Sequence, residues 1–231
     1  MIVARINNLN FGYSKKNKVI DNFSYTFKSG RVYSIVGHNG AGKTTLMRLM
    51  LGILNDKSKA IEIGKNLSLA YAPDLGGLFE FLTVSENIEI FYKLNNNDDN
   101  YREYLNKSLS DWELRQKSLT QVRQLSMGQK QRLSLIVAGV NDPDIIFLDE
   151  PSNSIDINSQ EMLNKFLSKF KNKGKTIILA SHDLNLIENV CDEIVILDEG
   201  KIKYSGEMSS IDDFTKLYKQ YTDGEDTDEE Y

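Results

Sequence analysis

The stretch "GHNGAGKT", Gly37 to Thr44, constrains the fold of this chain more than any other. It has the spacing G-x-x-x-x-G-K-[ST]. The apolar run "VYSIV" leads into it, and a helical pattern, "TTLMRLMLGIL" (Thr44 to Leu54), leads out. Strand, glycine loop and helix in that order let backbone N–H groups turn inward and close on phosphate oxygens. Gly37, Asn39, Gly40, Ala41, Gly42 and Thr45 are therefore candidate nucleotide contacts. Lys43 would place a cation on the outer phosphates, and Thr44 would offer a hydroxyl to Mg²⁺. His38 also lies in this loop. Because the loop binds through its backbone, that side chain is expected to face solvent.

A second short run, "IIFLDE" (Ile145 to Glu150), ends in two carboxylates. Its consecutive apolar residues predict a parallel strand covered on both faces. Ligands of parallel sheets sit beyond the carboxyl ends of the strands, so both acids should face the phosphate loop. Asp149 is placed to hold Mg²⁺ through water, and Glu150 to polarise a water attacking the γ-phosphate.

The rest of the chain fits a mostly parallel α/β sheet. Residues 1–27 alternate apolar and polar and predict an antiparallel N-terminal part, ended by a turn at Gly30. Residues 75–140 carry helical spacing in "VSENIEIFYKL" and "YREYLNKSLSDWEL", and a further helix beginning within "LSMGQKQRLSLIVAGV". This block reads as a helical subdomain inserted into one domain spanning 1–222. A helix is expected at 158–171, a strand at Thr176–Ser181, a hairpin around Glu199–Gly200 and a last helix near 210–221.

Charge narrows the partners. The chain has 231 residues and a formal net charge of -5. Residues 223–231 ("DGEDTDEEY") hold six carboxylates and no base, leaving 28 Lys+Arg against 27 Asp+Glu elsewhere. A near-neutral body lacks the basic stripe of a nucleic-acid binder. The tail reads as a self-repelling, disordered segment. The one cysteine, Cys191, permits no internal disulfide and fits a reduced compartment. No start resembling a signal peptide and no apolar membrane-spanning run is evident in the sequence.

The stretch "LSMGQKQRL", Leu125 to Leu133, completes a resemblance. With "GHNGAGKT" and "IIFLDE", it makes the chain look like the ATP-binding cassette (ABC) ATPases, whose signature reads L-S-G-G-Q or close to it. Met127 departs from the third signature position, while Ser126, Gly128 and Gln129 remain. A serine hydroxyl and N–H groups at a helix start suit a second phosphate site. The resemblance implies that this site reaches ATP held by another subunit, in a homodimer or in a heterodimer with another such ATPase. Tyr13 matches the aromatic residue that stacks on adenine, and His182, in "ILASHDL", the histidine that contacts the γ-phosphate. "PSNSID" (Pro151 to Asp156) matches the loop that signals across the dimer, with Ser154 and Ile155 in place of Ala-Leu or Gly-Leu.

The resemblance further implies hydrolysis of ATP with Mg²⁺, catalysed by Glu150, His182 and Lys43. It implies a separate transmembrane permease and a place on the cytoplasmic face of the cell membrane. "LGGLFEFLTVSENI" (Leu75 to Ile88) would line the groove that receives the permease, and Leu75, Leu78, Phe79 and Phe81 either touch it or pack internally. The family position normally held by glutamine, which reaches Mg²⁺ and the attacking water, is Asp74 here. A minority of the family, notably lantibiotic self-immunity exporters, has glutamate there. Two readings of Asp74 stand: a Pro-Asp turn residue, or a carboxylate that contacts the metal through water. The form resembles bacterial exporters of drugs, peptides or lipids. An importer motor, or a soluble ATPase acting on nucleic acid or ribosomes, is the alternative.

Overall fold

The structure, a computed structural model, describes residues 1–14, 17–74, 76–95, 100–153 and 156–222. The expectations for Leu75, Ser154, Ile155, residues 96–99 of the Asn-rich stretch and the acidic tail 223–231 lie outside the described residues.

Two sheets organise the chain. Strands β1 (Ile2–Phe11), β2 (Ile20–Lys28) and β4 (Ile61–Ile63) form an antiparallel sheet in the order β2-β1-β4. The larger sheet runs β5-β6-β7-β3-β8-β9, with β3 (Val32–Val36), β5 (Leu69–Ala72), β6 (Ile145–Asp149), β7 (Thr176–Ser181), β8 (Glu193–Asp198) and β9 (Lys201–Glu207). Its strands are parallel except β9, which returns antiparallel through the hairpin at Glu199–Gly200. The antiparallel N-terminal part and the mostly parallel core are thus as the pattern predicts. Strand β4 has no counterpart among the expected elements: three residues carry too little alternation to stand out from a loop.

The unbroken apolar runs of the central strands make sense once both faces are covered. Successive side chains point to opposite faces of a strand. On β6, Ile146 and Leu148 join one core with helices α4 (Met127–Gly139), α5 (Ile157–Asn172) and α6 (Leu184–Val190), while Ile145 and Phe147 join another with α1 (Lys43–Met50) and the antiparallel sheet. The strands β3, β7 and β8 divide their residues the same way. Phe147 is fully buried, and truncation to alanine at such a site costs ~3–5 kcal/mol.

Helices α2 (Val84–Asn95), α3 (Tyr101–Asp111) and α4 all lie between β5 and β6 in sequence, in the stretch expected to be helical, and α7 (Phe214–Thr222) closes the described chain. Two helices stop earlier than their patterns suggest. Helix α1 ends at Met50, and Gly52 follows with φ 70. Helix α3 ends at Asp111, where Glu113 takes φ 53 and Trp112 packs against Phe166 with ring centroids 5.6 Å apart. In both, a left-handed residue reverses the chain while the apolar pattern continues.

Parallel register aligns the ends of the central strands. Val36 pairs with Ser181, and Asp149 with Ala180. The residues just beyond these strand ends, Gly37, Glu150 and His182, therefore emerge at one edge of the sheet.

Candidate active site

That edge is a cleft of about 480 Å³. One wall comes from the loop Gly37–Gly42, of which His38, Asn39, Gly40 and Gly42 line the cleft, whereas Gly37 and the buried Ala41 do not. A Cβ on Gly37 would lie 2.2 Å from the Leu197 carbonyl oxygen, so only glycine fits. Gly42 has φ 109 and precedes α1 without any side-chain cap. The first turn of an α-helix leaves its N–H groups without intrahelical acceptors, and here no side chain caps them. With the helix dipole behind them, they offer a place for an anion.

Lys43 is buried, and its Nζ donates to the Gly37 carbonyl at 2.6 Å and to the His38 carbonyl at 3.3 Å. It also pairs with Glu150 Oε1 at 3.3 Å. Glu150 Oε2 accepts from His182, by the ring Nδ1 at 2.9 Å and the backbone N–H at 3.3 Å. Glu150 itself has φ 49, a left-handed backbone for a non-glycine residue. Such strain collects at functional sites where surrounding structure over-determines the position. It turns the chain sharply just after β6.

Thr44 Oγ1 donates to Asp149 Oδ1 at 3.0 Å, and the Tyr71 hydroxyl donates to Asp149 Oδ2 at 3.1 Å. Burial pushes the Asp149 carboxyl above the ordinary aspartate range. The hydrogen bonds from Thr44 and Tyr71 and the Arg48 charge oppose that rise, and the Asp74 charge adds to it. Burial, with the Asp149 charge, pushes the Tyr71 phenol up to about 12, so it remains a donor at neutral pH. The hydroxyl of Thr44 and the carboxylates of Asp149 and Asp74 are hard oxygen donors of the kind Mg²⁺ takes, in the small number it uses when phosphates and water complete its shell. Among the described residues no group of three or more His, Cys, Asp or Glu could hold a metal alone. The residues present therefore fit Mg²⁺ bound together with phosphate.

Asp74 also lines the cleft, and its Oδ1 accepts from Asn153 Nδ2 at 3.1 Å. A smaller adjoining cavity places Asp74 beside Met127 and Lys130 at the start of α4. Tyr13 also lines the cleft, 59% exposed, with its hydroxyl 3.1 Å from Thr45 Oγ1. Asn39 and Gly40 line the cleft as well. His38 is exposed, as expected, yet its ring is anchored between the Asn39 carbonyl at 2.8 Å and Asp198 at 3.0 Å. Ser126, Gly128 and Gln129 do not line this cleft. Ser126 caps α4 by accepting from the Gln129 N–H, and the Gln129 side chain accepts from the Ser126 N–H in return.

The role of Tyr71, which bonds to Asp149 from β5, is not legible in the sequence. Asn153, although it lies in the matched stretch "PSNSID", is not marked there as a cleft residue, and Asn17 and Val19 line the cleft without any sequence signal. Tyr71 alternates correctly along β5, but nothing in its spacing tells a core tyrosine from one aimed at a carboxylate. Asn153 lies three residues past Glu150, and the match of its loop says nothing of a contact with Asp74. Phe79 and Phe81, which do not line the cleft, are 48% and 73% exposed, with Phe79 against Phe91 and Arg123 over the Phe81 ring, whereas Leu78 packs against the core.

Residues 20–153 match the family described as ABC transporter. The chain belongs to this family. An uncharacterized ABC transporter ATP-binding protein of Methanocaldococcus jannaschii is 32% identical over 203 residues, 86% of this chain and 76% of that protein. A lantibiotic transport ATP-binding protein of Streptococcus pyogenes is 29% identical over 225 residues, 94% of this chain and 96% of that one. A solved structure of the ATP binding subunit of an ABC transporter superposes with a TM-score of 0.83 at 25% identity, covering 90% of this chain and 91% of that one. The chain is thus an ABC ATPase, the ATP-binding subunit of a transporter. Among the described residues, no helix is long and apolar enough to cross a membrane.

Proposed function

We propose that this ABC ATPase is the motor of an exporter, works as a dimer around two ATP, and docks on a separate membrane subunit. The observation that carries the reading is a division of the phosphate-binding groups. Lys43, Thr44, Asp149, Glu150 and His182 converge on one cleft, while Ser126–Gln129 stand outside it at the start of α4. A second copy, or a related cassette, would bring its Ser126 to the ATP in this cleft. The exposed Phe79 and Phe81 support a docked partner. The full-length likeness to a lantibiotic transport protein supports export, with a peptide, drug or lipid as cargo.

In this reading the loop Gly37–Gly42 and the first turn of α1 hold the phosphates, and Tyr13 packs on the base. Mg²⁺, when bound near Thr44, Asp149 and Asp74, would neutralise phosphate charge. Glu150, held by His182 and Lys43, orients a water and takes its proton as the water oxygen attacks the γ-phosphorus. The bond to the β–γ bridging oxygen breaks, and the electron pair leaves with ADP. Lys43 and His182 meet the charge on the transferring phosphoryl group, where positioned donors contribute most.

The test is Glu150→Gln. Steady-state hydrolysis should fall by ~10²–10⁴, and light scattering should find an ATP-bound dimer. Near-normal turnover, or an ATP-bound monomer, would overturn the reading. In the same experiment the wild type should co-purify with a membrane protein. Changing Phe79 and Phe81 to Ser should abolish that association and leave ATP binding intact.

A further inference from the structure

We propose that Asn153 is a positioning residue: its amide holds Asp74 in the nucleotide cleft and thereby sets how tightly the cleft takes a divalent cation. The inference rests on the reading of Asp74 as a metal-side carboxylate.

An ionised aspartate has acceptors and no donors. It stays in place only where something donates to it, and Asn153 Nδ2 does so at 3.1 Å. Strand β5 ends at Ala72, and Gly76 and Gly77 lie beyond Asp74 with φ 89 and 77, conformations that glycine adopts readily. Asn153 is tied to the end of β6. Its N–H donates to the Glu150 carbonyl at 3.1 Å, closing the turn that begins at the left-handed Glu150. That turn grows directly from β6, whose last residue is Asp149. Asn153 therefore measures the position of Asp74 from the strand that carries the principal metal-side acid.

The chemistry of an amide suits this task. Its N–H fixes the carboxylate without neutralising it. A lysine or arginine in the same place would cancel the charge that Asp74 brings to the cleft. Outer-shell donors of this kind orient metal-side carboxylates and tune metal affinity. The usual glutamine of the family carries its own amide donors. Here the carboxylate lies on one loop and the amide on the other.

The experiment uses the full chain and reads Mn²⁺ binding at equilibrium by electron paramagnetic resonance, with a saturating non-hydrolysable ATP analogue. Binding of the same analogue in EDTA and thermal unfolding are followed in parallel. Asn153→Ala should weaken Mn²⁺ binding by about tenfold, with analogue binding in EDTA unchanged. Asp74→Ala should weaken Mn²⁺ binding at least as much. The double variant should bind Mn²⁺ no worse than Asp74→Ala, because the two residues act as one unit. Asn153→Ser, too short to reach Asp74, should reproduce the alanine result and replaces it should that variant fold poorly.

Unchanged Mn²⁺ binding in both Asn153 variants, with a loss in Asp74→Ala, would overturn the role of Asn153 and leave the reading of Asp74 standing. Additive losses in the double variant would overturn it too. Unchanged binding in Asp74→Ala would overturn the metal-side reading of Asp74, and the role of Asn153 with it.

Discussion

Helices α1 and α4 each begin with residues suited to phosphate, and they begin differently. Helix α1 starts after Gly42 with no side-chain cap, so its first N–H groups stay open toward a cleft that Lys43, Thr44 and Asp149 already line. Helix α4 starts with a reciprocal capping box, in which Ser126 and Gln129 satisfy each other's backbone. A capping box holds two orphan donors without any ligand. The first site is therefore assembled within one chain. The second is partly exposed, and its Ser126 and Gln129 satisfy each other.

Lys43→Ala tests this contrast at the first helix start. Losing a charged donor to phosphate costs ~1.5–3 kcal/mol, which corresponds to roughly tenfold to hundredfold weaker ATP binding. Equilibrium binding of a fluorescent ATP analogue to the isolated chain measures it. Ser126→Ala should act on the other side of the comparison. Turnover should fall about a hundredfold, while analogue binding to the isolated chain stays at the wild-type level. The change also removes a cap, at a cost of ~1 kcal/mol. Ser126→Asn, which keeps the cap, should restore the melting temperature without restoring turnover. Equal loss of analogue binding in the Lys43 and Ser126 variants would erase the distinction between the two helix starts.

The smallest effect is expected at a third helix start. Asp156 caps α5 by accepting from the Ser159 N–H at 2.8 Å. That bond holds its carboxyl below the ordinary aspartate range. A depressed carboxyl contributes stability that is full above the usual aspartate value of ~3.9 and is lost as pH falls through the depressed value. Asp156→Ala should therefore lower the melting temperature at pH 7, and the gap to wild type should close in acid. A gap independent of pH would mean that the ionised cap is not what stabilises this start.

Much of this is legible along the chain. The phosphate loop, the acids after "IIFL" and the signature at Ser126–Gln129 are contiguous stretches whose residue types carry their own chemistry. The core strands are legible because strands buried on both faces need uninterrupted apolar residues. Tyr71 and Asn153 are not, since each matters only through a partner far along the chain, 78 residues away for Tyr71 and 79 for Asn153. Helix ends elude the pattern where one left-handed residue, Gly52 or Glu113, outweighs an apolar periodicity that continues.

The amino-acid sequence by itself determined the family, the α/β class and the chemistry each candidate side chain could perform. The tertiary structure decided which of them meet. Parallel register brings Gly37, Glu150 and His182 to one edge of the sheet. It also decided that Asp74, which as a sequence feature can also be read as a turn residue, hangs from Asn153 inside the cleft. The physical reason is that a hydrogen bond between two loops depends on where the strands beneath them end, and that position belongs to the packed sheet rather than to either loop.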